Sequence, residues 1–368
     1  MYLQNLSVLN FRNYEACELS FSERVNCFTG LNGSGKTNLL DAIHYLSLCK
    51  SFLNPTDSQN IRHDAPFFVI QGTFDHGNEV QDAVYCGVKR GQRKTFKRNS
   101  KEYERLSDHI GLFPLVVVSP ADGVLITGGS EERRRFMDTV ISQYNRNYLD
   151  QLIAYNKVLS QRNSLLKLMA EGKAGNDGTL EILNLQLCQY GEPVHIARRA
   201  FIKELLPFFN KFYNDLSGGA EEVGLIYESK LLETSLNDLL ESALQKDKIL
   251  QHTTVGIHKD DLDFTIGDYS LRKSGSQGQQ KTFLIALKLA EYVFLDRASG
   301  KKPMLLLDDI HDKLDEERVG RLMDIVCSND FGQLFITDTG AGRMSGMFEG
   351  RGVPYKMFNV EQGMVSEA

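Results

Sequence analysis

Gly30-Leu31-Asn32-Gly33-Ser34-Gly35-Lys36-Thr37 follows the β-like stretch Val25-Asn26-Cys27-Phe28-Thr29 without a break. Beyond it Leu39, Leu40, Ile43 and Leu46 recur at helical spacing. Strand, glycine loop, and a helix that opens where the glycines stop is the order a phosphate cradle needs. The glycines let backbone N–H groups turn inward around phosphate oxygens, and the helix N-terminus adds a favourable partial charge. In this G-x-x-x-x-G-K-[ST] pattern Lys36 reaches the β- and γ-phosphates, and the Thr37 hydroxyl ligates Mg²⁺. All eight residues, Gly30 through Thr37, are therefore expected to line a bound nucleotide.

A magnesium site needs a second anchor, and Met304-Leu305-Leu306-Leu307-Asp308-Asp309 supplies it. A buried strand that ends in a carboxylate sets Asp308 at the carboxyl edge of a sheet, where it holds Mg²⁺ through water. Asp309 is then placed to orient or deprotonate the attacking water. The catalytic assignments are accordingly Lys36, Asp308 and Asp309, and the metal ligands are Thr37 and Asp308. Before that strand comes Ser274-Gly275-Ser276-Gln277-Gly278-Gln279-Gln280-Lys281, opening a helix dense in apolar residues. Ser276, Gly278 and Gln279 resemble the Leu-Ser-Gly-Gly-Gln signature of ABC ATPases, with Gln277 in place of the first glycine. A serine hydroxyl, glycine N–H groups and a helix N-terminus make a second phosphate cradle. In the ABC family that cradle closes on ATP held by the opposite subunit, so the resemblance implies a site completed by two copies. Asp312-Lys313-Leu314-Asp315 stands at the spacing of the ABC D-loop. Two departures are visible: Ile336-Thr337-Asp338-Thr339 replaces the switch histidine of transporters, and the base position holds an aspartate instead of a glutamate. Both predict slow hydrolysis, used as a timer.

Outward from these motifs, the chain is expected to be an α/β protein: a P-loop ATPase head that resembles the ABC type, formed by both ends of the chain, with an α-helical insertion as a second lobe. Residues 1–118 read as strands and turns around the loop. From 119 to 250 the texture turns charged and helical, with Tyr148, Leu152, Tyr155 and Leu159 as one apolar row. An αα-hairpin with more around it is expected there, its second helix interrupted at Pro193. Residues 251–368 return to the α/β pattern with the signature and Asp308.

The 368 residues are 42% hydrophobic and 24% charged, ordinary globular material. No run of some twenty apolar residues exists, so no bilayer span is expected. The six cysteines are scattered without a Cys-x-x-Cys pair, which argues for reduced thiols and a cytosolic setting. Net charge is −6, yet residues 89–101 hold seven basic side chains and no acidic one. Lys89, Arg90, Arg93, Lys94, Lys97, Arg98 and Lys101 form either a solvated hairpin or a footprint for nucleic-acid phosphates. Arg133-Arg134-Arg135 and Arg198-Arg199, on helices of the insertion, face DNA, a partner or the nucleotide. Asp260-Asp261 beside His258 is read as a structural or interface element, or as a metal site.

Taken together, these residues resemble the RecF family of bacterial recombination and gap-repair proteins, related to the chromosome-maintenance and double-strand-break-repair ATPases. The match includes Asn10-Phe11-Arg12-Asn13-Tyr14, the loop with its Asn32, Leu46 to Phe52, Ser119-Pro120-Ala121-Asp122, Arg133 to Asp138, Gly256 to Leu262, the signature and Leu307 to Asp312. Lys259, Leu53 and Gly123 depart from that family's usual residues. The resemblance implies an ATP- and Mg²⁺-dependent homodimer on gapped duplex and single-strand–duplex DNA. It also implies RecO and RecR as partners in loading the RecA recombinase, no membrane association, and Arg12 and Asn13 beside the nucleotide. Two rival functions stand next to it. One is an ATP-gated switch acting on another protein. The other is a transporter ATPase, disfavoured by the missing histidine and the helical insertion before the signature.

Overall fold

The computed structural model describes residues 1–77, 79–173, 178–219, 221–310, 315–348 and 351–368. In chain order the elements up to the insertion are β1 (Tyr2–Phe11), β2 (Tyr14–Ser20), β3 (Val25–Thr29), α1 (Lys36–Leu48), β4 (Phe67–Asp75), β5 (Gln81–Lys89), β6 (Thr95–Arg98), β7 (Lys101–Glu102) and β8 (Leu115–Val118). Next come α2 (Val124–Thr127), α3 (Ser130–Tyr144), α4 (Arg146–Ala170), α5 (Thr179–Ser217), β9 (Val223–Glu228), α6 (Leu236–Ser242) and α7 (Leu244–Leu250). The remainder is β10 (Asp261–Ile266), β11 (Tyr269–Ser270), α8 (Leu271–Ser274), α9 (Gln277–Ser299), β12 (Met304–Leu307), α10 (Glu316–Val326), β13 (Leu334–Asp338), α11 (Ala341–Phe348), β14 (Tyr355–Glu361) and β15 (Met364–Glu367). Among the described residues no helix is long and apolar enough to cross a membrane.

The chain divides into two compact units. The first comprises Met1–Asp122, Phe212–Ala220 and Gln277–Ala368. It carries a largely parallel sheet of order β15-β14-β3-β13-β12-β8 and an antiparallel sheet of order β2-β1-β4-β5-β6-β7. Every residue of β3, β12 and β13 is buried, as expected of parallel strands covered on both faces; β12 is apolar throughout, while β3 and β13 mix apolar residues with the buried polar Asn26, Thr29, Thr337 and Asp338. The antiparallel strands alternate instead, buried and exposed along β5, because one face meets solvent. α1 is buried almost all round, and its Leu39, Leu40, Ile43 and Leu46 join Phe28, Phe68, Phe74 and Phe335 in one core. A helix buried on nearly every side is a core helix, and this one anchors the loop at its own N-terminus.

The second unit comprises Gly123–Lys211 and Glu221–Ser276. Its helices α3, α4 and α5 accompany a three-stranded sheet of order β11-β10-β9. The expected division at 250/251 differs from this grouping for a definable reason. β10 pairs with β9 in register from Asp261 opposite Glu228 to Ile266 opposite Val223, which keeps 261–270 with the insertion. One expectation is corrected: α5 is not interrupted at Pro193. It runs through both Pro193 and Pro207. An interior proline costs a helix roughly 3 kcal/mol, but buried Leu187, Val194, Phe201, Leu205 and Phe209 secure the helix on either side.

Candidate functional site

β13 runs parallel to both β12 and β3, with Leu307 opposite Ile336 and Asp338 opposite Thr29. The loop after β3 and the aspartates after β12 therefore share one carboxyl edge, where open α/β sheets place their ligands. Gly30 and Gly35 take φ values of +153° and +117°. A Cβ on Gly30 would lie 2.2 Å from the Val360 carbonyl oxygen, and one on Gly35 2.4 Å from Asn13 Nδ2. Only glycine fits at these two positions.

Inside the loop, Lys36 Nζ donates to Gly30 O at 2.7 Å and to Leu31 O at 2.9 Å. Burial lowers the Lys36 pKa, while the carboxylates of Asp309, Asp308 and Asp338 act to raise it. The Ser34 hydroxyl is buried and has no hydrogen-bond partner among the described residues. An orphaned buried hydroxyl in a glycine-rich loop at a helix N-terminus fits a phosphate oxygen.

Thr37 Oγ1 donates to Asp308 Oδ1 at 2.9 Å, and Thr337 Oγ1 donates to the same oxygen at 2.7 Å. The Asp309 N–H in turn donates to Thr337 Oγ1 at 2.9 Å. A hydroxyl and a carboxylate in contact are the hard oxygen ligands that Mg²⁺ takes. Asp309 holds φ +51°, a left-handed conformation that aspartate and asparagine tolerate best among residues with a Cβ. Thr337 stands out in the sequence only for not being histidine. The signal it does carry is its place at the end of a buried strand, where it meets the two aspartates.

Asn13 and Tyr14, at the β1–β2 turn, brace the loop from outside. Asn13 Nδ2 donates to Ser34 O at 2.9 Å, and the Tyr14 hydroxyl to Gly35 O at 3.0 Å. Arg12, in the same turn, donates its guanidinium to Asp41 Oδ2 of α1 at 2.9 Å and to Ser51 Oγ at 3.1 Å. Ser276 is exposed just before α9, and Gly278 and Gln279 stand in its first turn. Asp312 and its neighbours 311–314 lie outside the described residues, whereas Asp315 caps α10 by accepting from the Arg318 N–H.

The other charged clusters separate clearly. Arg133 pairs with Asp261 through Nε and Nη2, Arg134 donates to Asp260 O, and Arg135 pairs with Glu131 and Glu132 of its own helix. Arg198 is buried and spans Asp138 and Asp260. Three of these arginines thus serve the second unit's interior, and only Arg199 is left exposed without an ion-pair partner among the described residues. His258 accepts from the Tyr155 hydroxyl at Nδ1 and donates from Nε2 to Thr253 O, and burial lowers its pKa to about 4. With both nitrogens engaged it is a structural histidine, and no cluster of three or more His, Cys, Asp or Glu side chains placed to hold a metal occurs among the described residues.

In the basic stretch, Arg98 pairs with Asp82 and Lys94 with Asp57. Lys89, Arg90 and Lys101 are exposed at the β5–β6–β7 edge without a carboxylate partner among the described residues, and Lys97 lies over the Tyr85 ring.

Residues 2–366 match the family described as RecF/RecN/SMC N terminal domain. A "DNA replication and repair protein RecF" from Bacteroides fragilis is 51% identical over 367 residues, covering 100% of this chain and 98% of its own. A solved structure described as the recombination mediator protein RecF-ATP in the RecFOR pathway superposes with a TM-score of 0.90 at 32% identity, covering 100% of this chain and 97% of its own. The Smc head domain of Pyrococcus furiosus shares the fold at a TM-score of 0.59 and 16% identity, over 100% of this chain and 96% of its own.

Proposed function

The chain belongs to the RecF family within the RecF/RecN/SMC group, and on that premise we propose that it is an ATP-switched DNA-binding protein of replication and recombinational repair. The observation that carries the reading is the joining of Lys36, Thr37, Asp308 and Asp309 at one sheet edge. Lys36 binds the β- and γ-phosphates of ATP and Thr37 with Asp308 holds Mg²⁺. The bound metal neutralises charge on the terminal phosphates. Asp309 orients water and takes its proton. Ser276, Gly278 and Gln279 close on the nucleotide of a second copy, so that ATP makes the dimer and slow hydrolysis releases it. Single-strand–duplex junctions, RecO, RecR and RecA are the partners this reading carries over from the family.

Lys36→Ala removes charge-assisted bonds to the phosphates, each contributing about 1.5–3 kcal/mol. ATP affinity is expected to fall roughly 10- to 100-fold at about 1.4 kcal/mol per decade. Calorimetric titration with ATP and Mg²⁺ checks this, and unchanged affinity would move the nucleotide away from the loop.

Lys89, Arg90, Lys97 and Lys101 are proposed to meet DNA phosphates without reading bases. Neutralising all four to glutamine lowers the slope of log affinity against log salt by up to about 0.9 for each phosphate no longer neutralised. A slope equal to that of the wild type would assign the stretch to a solvated sheet edge.

A further inference from the structure

The second unit carries a surface that the ATP-and-DNA reading does not use. α5 is amphipathic toward its own core through Leu183, Leu187 and Val194, but its outer side is apolar too. Ile182, Leu185 and Ile196 are 58%, 65% and 64% exposed. Their spacing puts them, with Glu192, along one stripe of the helix. Gly191 lets α6 approach closely, since a Cβ there would lie 2.8 Å from Leu236. Between α5 and the segment that leads into α6 runs a groove of about 330 Å³. Ile196, Leu231, Leu232 and Leu236 line it, and Leu232 is itself 47% exposed.

The rim is acidic. Glu192 and Glu233 line the groove, and no lysine or arginine does. Glu192, Asp238 and Glu241 converge on the half-buried Cys188 thiol, where their charges add to burial in raising its pKa. None of Glu192, Glu233, Asp238 and Glu241 has an ion-pair partner among the described residues. Like charges left unneutralised around exposed leucine and isoleucine side chains repel nucleic acid and call for a cationic partner.

We propose that this groove seats the apolar face of a basic amphipathic helix from another protein. Leucine-like anchors at helical spacing would enter between Ile196 and Leu232, and flanking lysines or arginines would face Glu192 and Glu233. The apolar anchors supply affinity by desolvation, while the charged rim sets partner choice and on-rate.

The test uses the full chain and a fluorescein-labelled helical peptide built only of leucine and lysine, with glutamate replacing lysine in a control peptide. The leucine–lysine peptide is expected to bind, more weakly as salt rises, and the control is not. Glu192→Lys with Glu233→Lys, and separately Leu232→Asp, each weaken binding at least about tenfold. All three positions are exposed, so the thermal unfolding midpoint stays that of the wild type. Glu18→Lys with Glu23→Lys, on the first unit, leaves peptide binding unchanged. The proposal is overturned if both groove variants bind like the wild type, or if the Glu18 and Glu23 pair weakens binding as much. It is likewise overturned if the groove variants abolish DNA binding or self-association instead, which would give the surface to nucleic acid or to a second copy.

Discussion

Asp309→Asn is expected to slow ATP hydrolysis about a thousandfold while leaving ATP affinity close to that of the wild type. General-base catalysis contributes roughly 10²–10⁴-fold, and the carboxamide cannot accept the proton. The substitution is otherwise mild. Asparagine tolerates the left-handed backbone that Asp309 adopts at φ +51°, and the backbone N–H that donates to Thr337 is unchanged. Single-turnover hydrolysis and equilibrium binding separate the two effects. Under the dimer account this variant also accumulates as a dimer in ATP and Mg²⁺, visible by light scattering. Wild-type turnover in Asp309→Asn would remove the residue from the proton-accepting role and return the water-positioning task to Asp308 or Thr337.

Arg198→Met is expected to destabilise the second unit by about 3–5 kcal/mol, the range for breaking one side of a buried ion pair. Arg198 donates to Asp138 Oδ1 at 2.8 Å, to Asp260 Oδ2 at 2.9 Å and to Ile257 O at 2.8 Å. The Tyr227 hydroxyl also donates to Asp260 at 2.6 Å, but a hydroxyl does not neutralise a carboxylate. Truncation therefore leaves Asp260, whose side chain is 1% exposed, as an unpaired buried charge. Methionine keeps the volume, so the loss reads as electrostatic rather than as a cavity. Adding Asp260→Asn to Arg198→Met removes the orphaned charge and restores part of the stability. Urea unfolding of the three proteins checks the order, and a double variant less stable than Arg198→Met would show that packing dominates.

The same residues show how far a sequence can be read. Val25 to Thr29, the glycine loop and α1 are legible because the strand, the turn and the helix each leave a local signature within a few residues. Asp308 is legible for the same reason, as the end of a short apolar run. Arg198 is not. Its partners Asp138, Tyr148 and Asp260 lie 50 to 62 positions away, and no periodicity announces which arginine turns inward. Thr337 meets Asp308 only through strand order, 29 residues on in the chain. Pro193 misleads because proline propensity is local, whereas the apolar contacts that carry α5 through it are tertiary. The segment 261–270 reads as head-like α/β sequence, and only its pairing with β9 reveals where it folds.

The position of Ser276 at the start of α9, outside the loop that holds Lys36, makes the two-copy site the centre of the account. Fluorescence anisotropy on gapped duplex DNA, at fixed salt with and without ATP and Mg²⁺, tests it in wild type and in Ser276→Arg. ATP is expected to tighten DNA binding by the wild type, and the arginine, too large for a phosphate cradle shared between subunits, is expected to abolish that gain while ATP still binds. Equal DNA affinity with and without ATP in the wild type would contradict it, and would leave the nucleotide gating a protein partner instead of DNA.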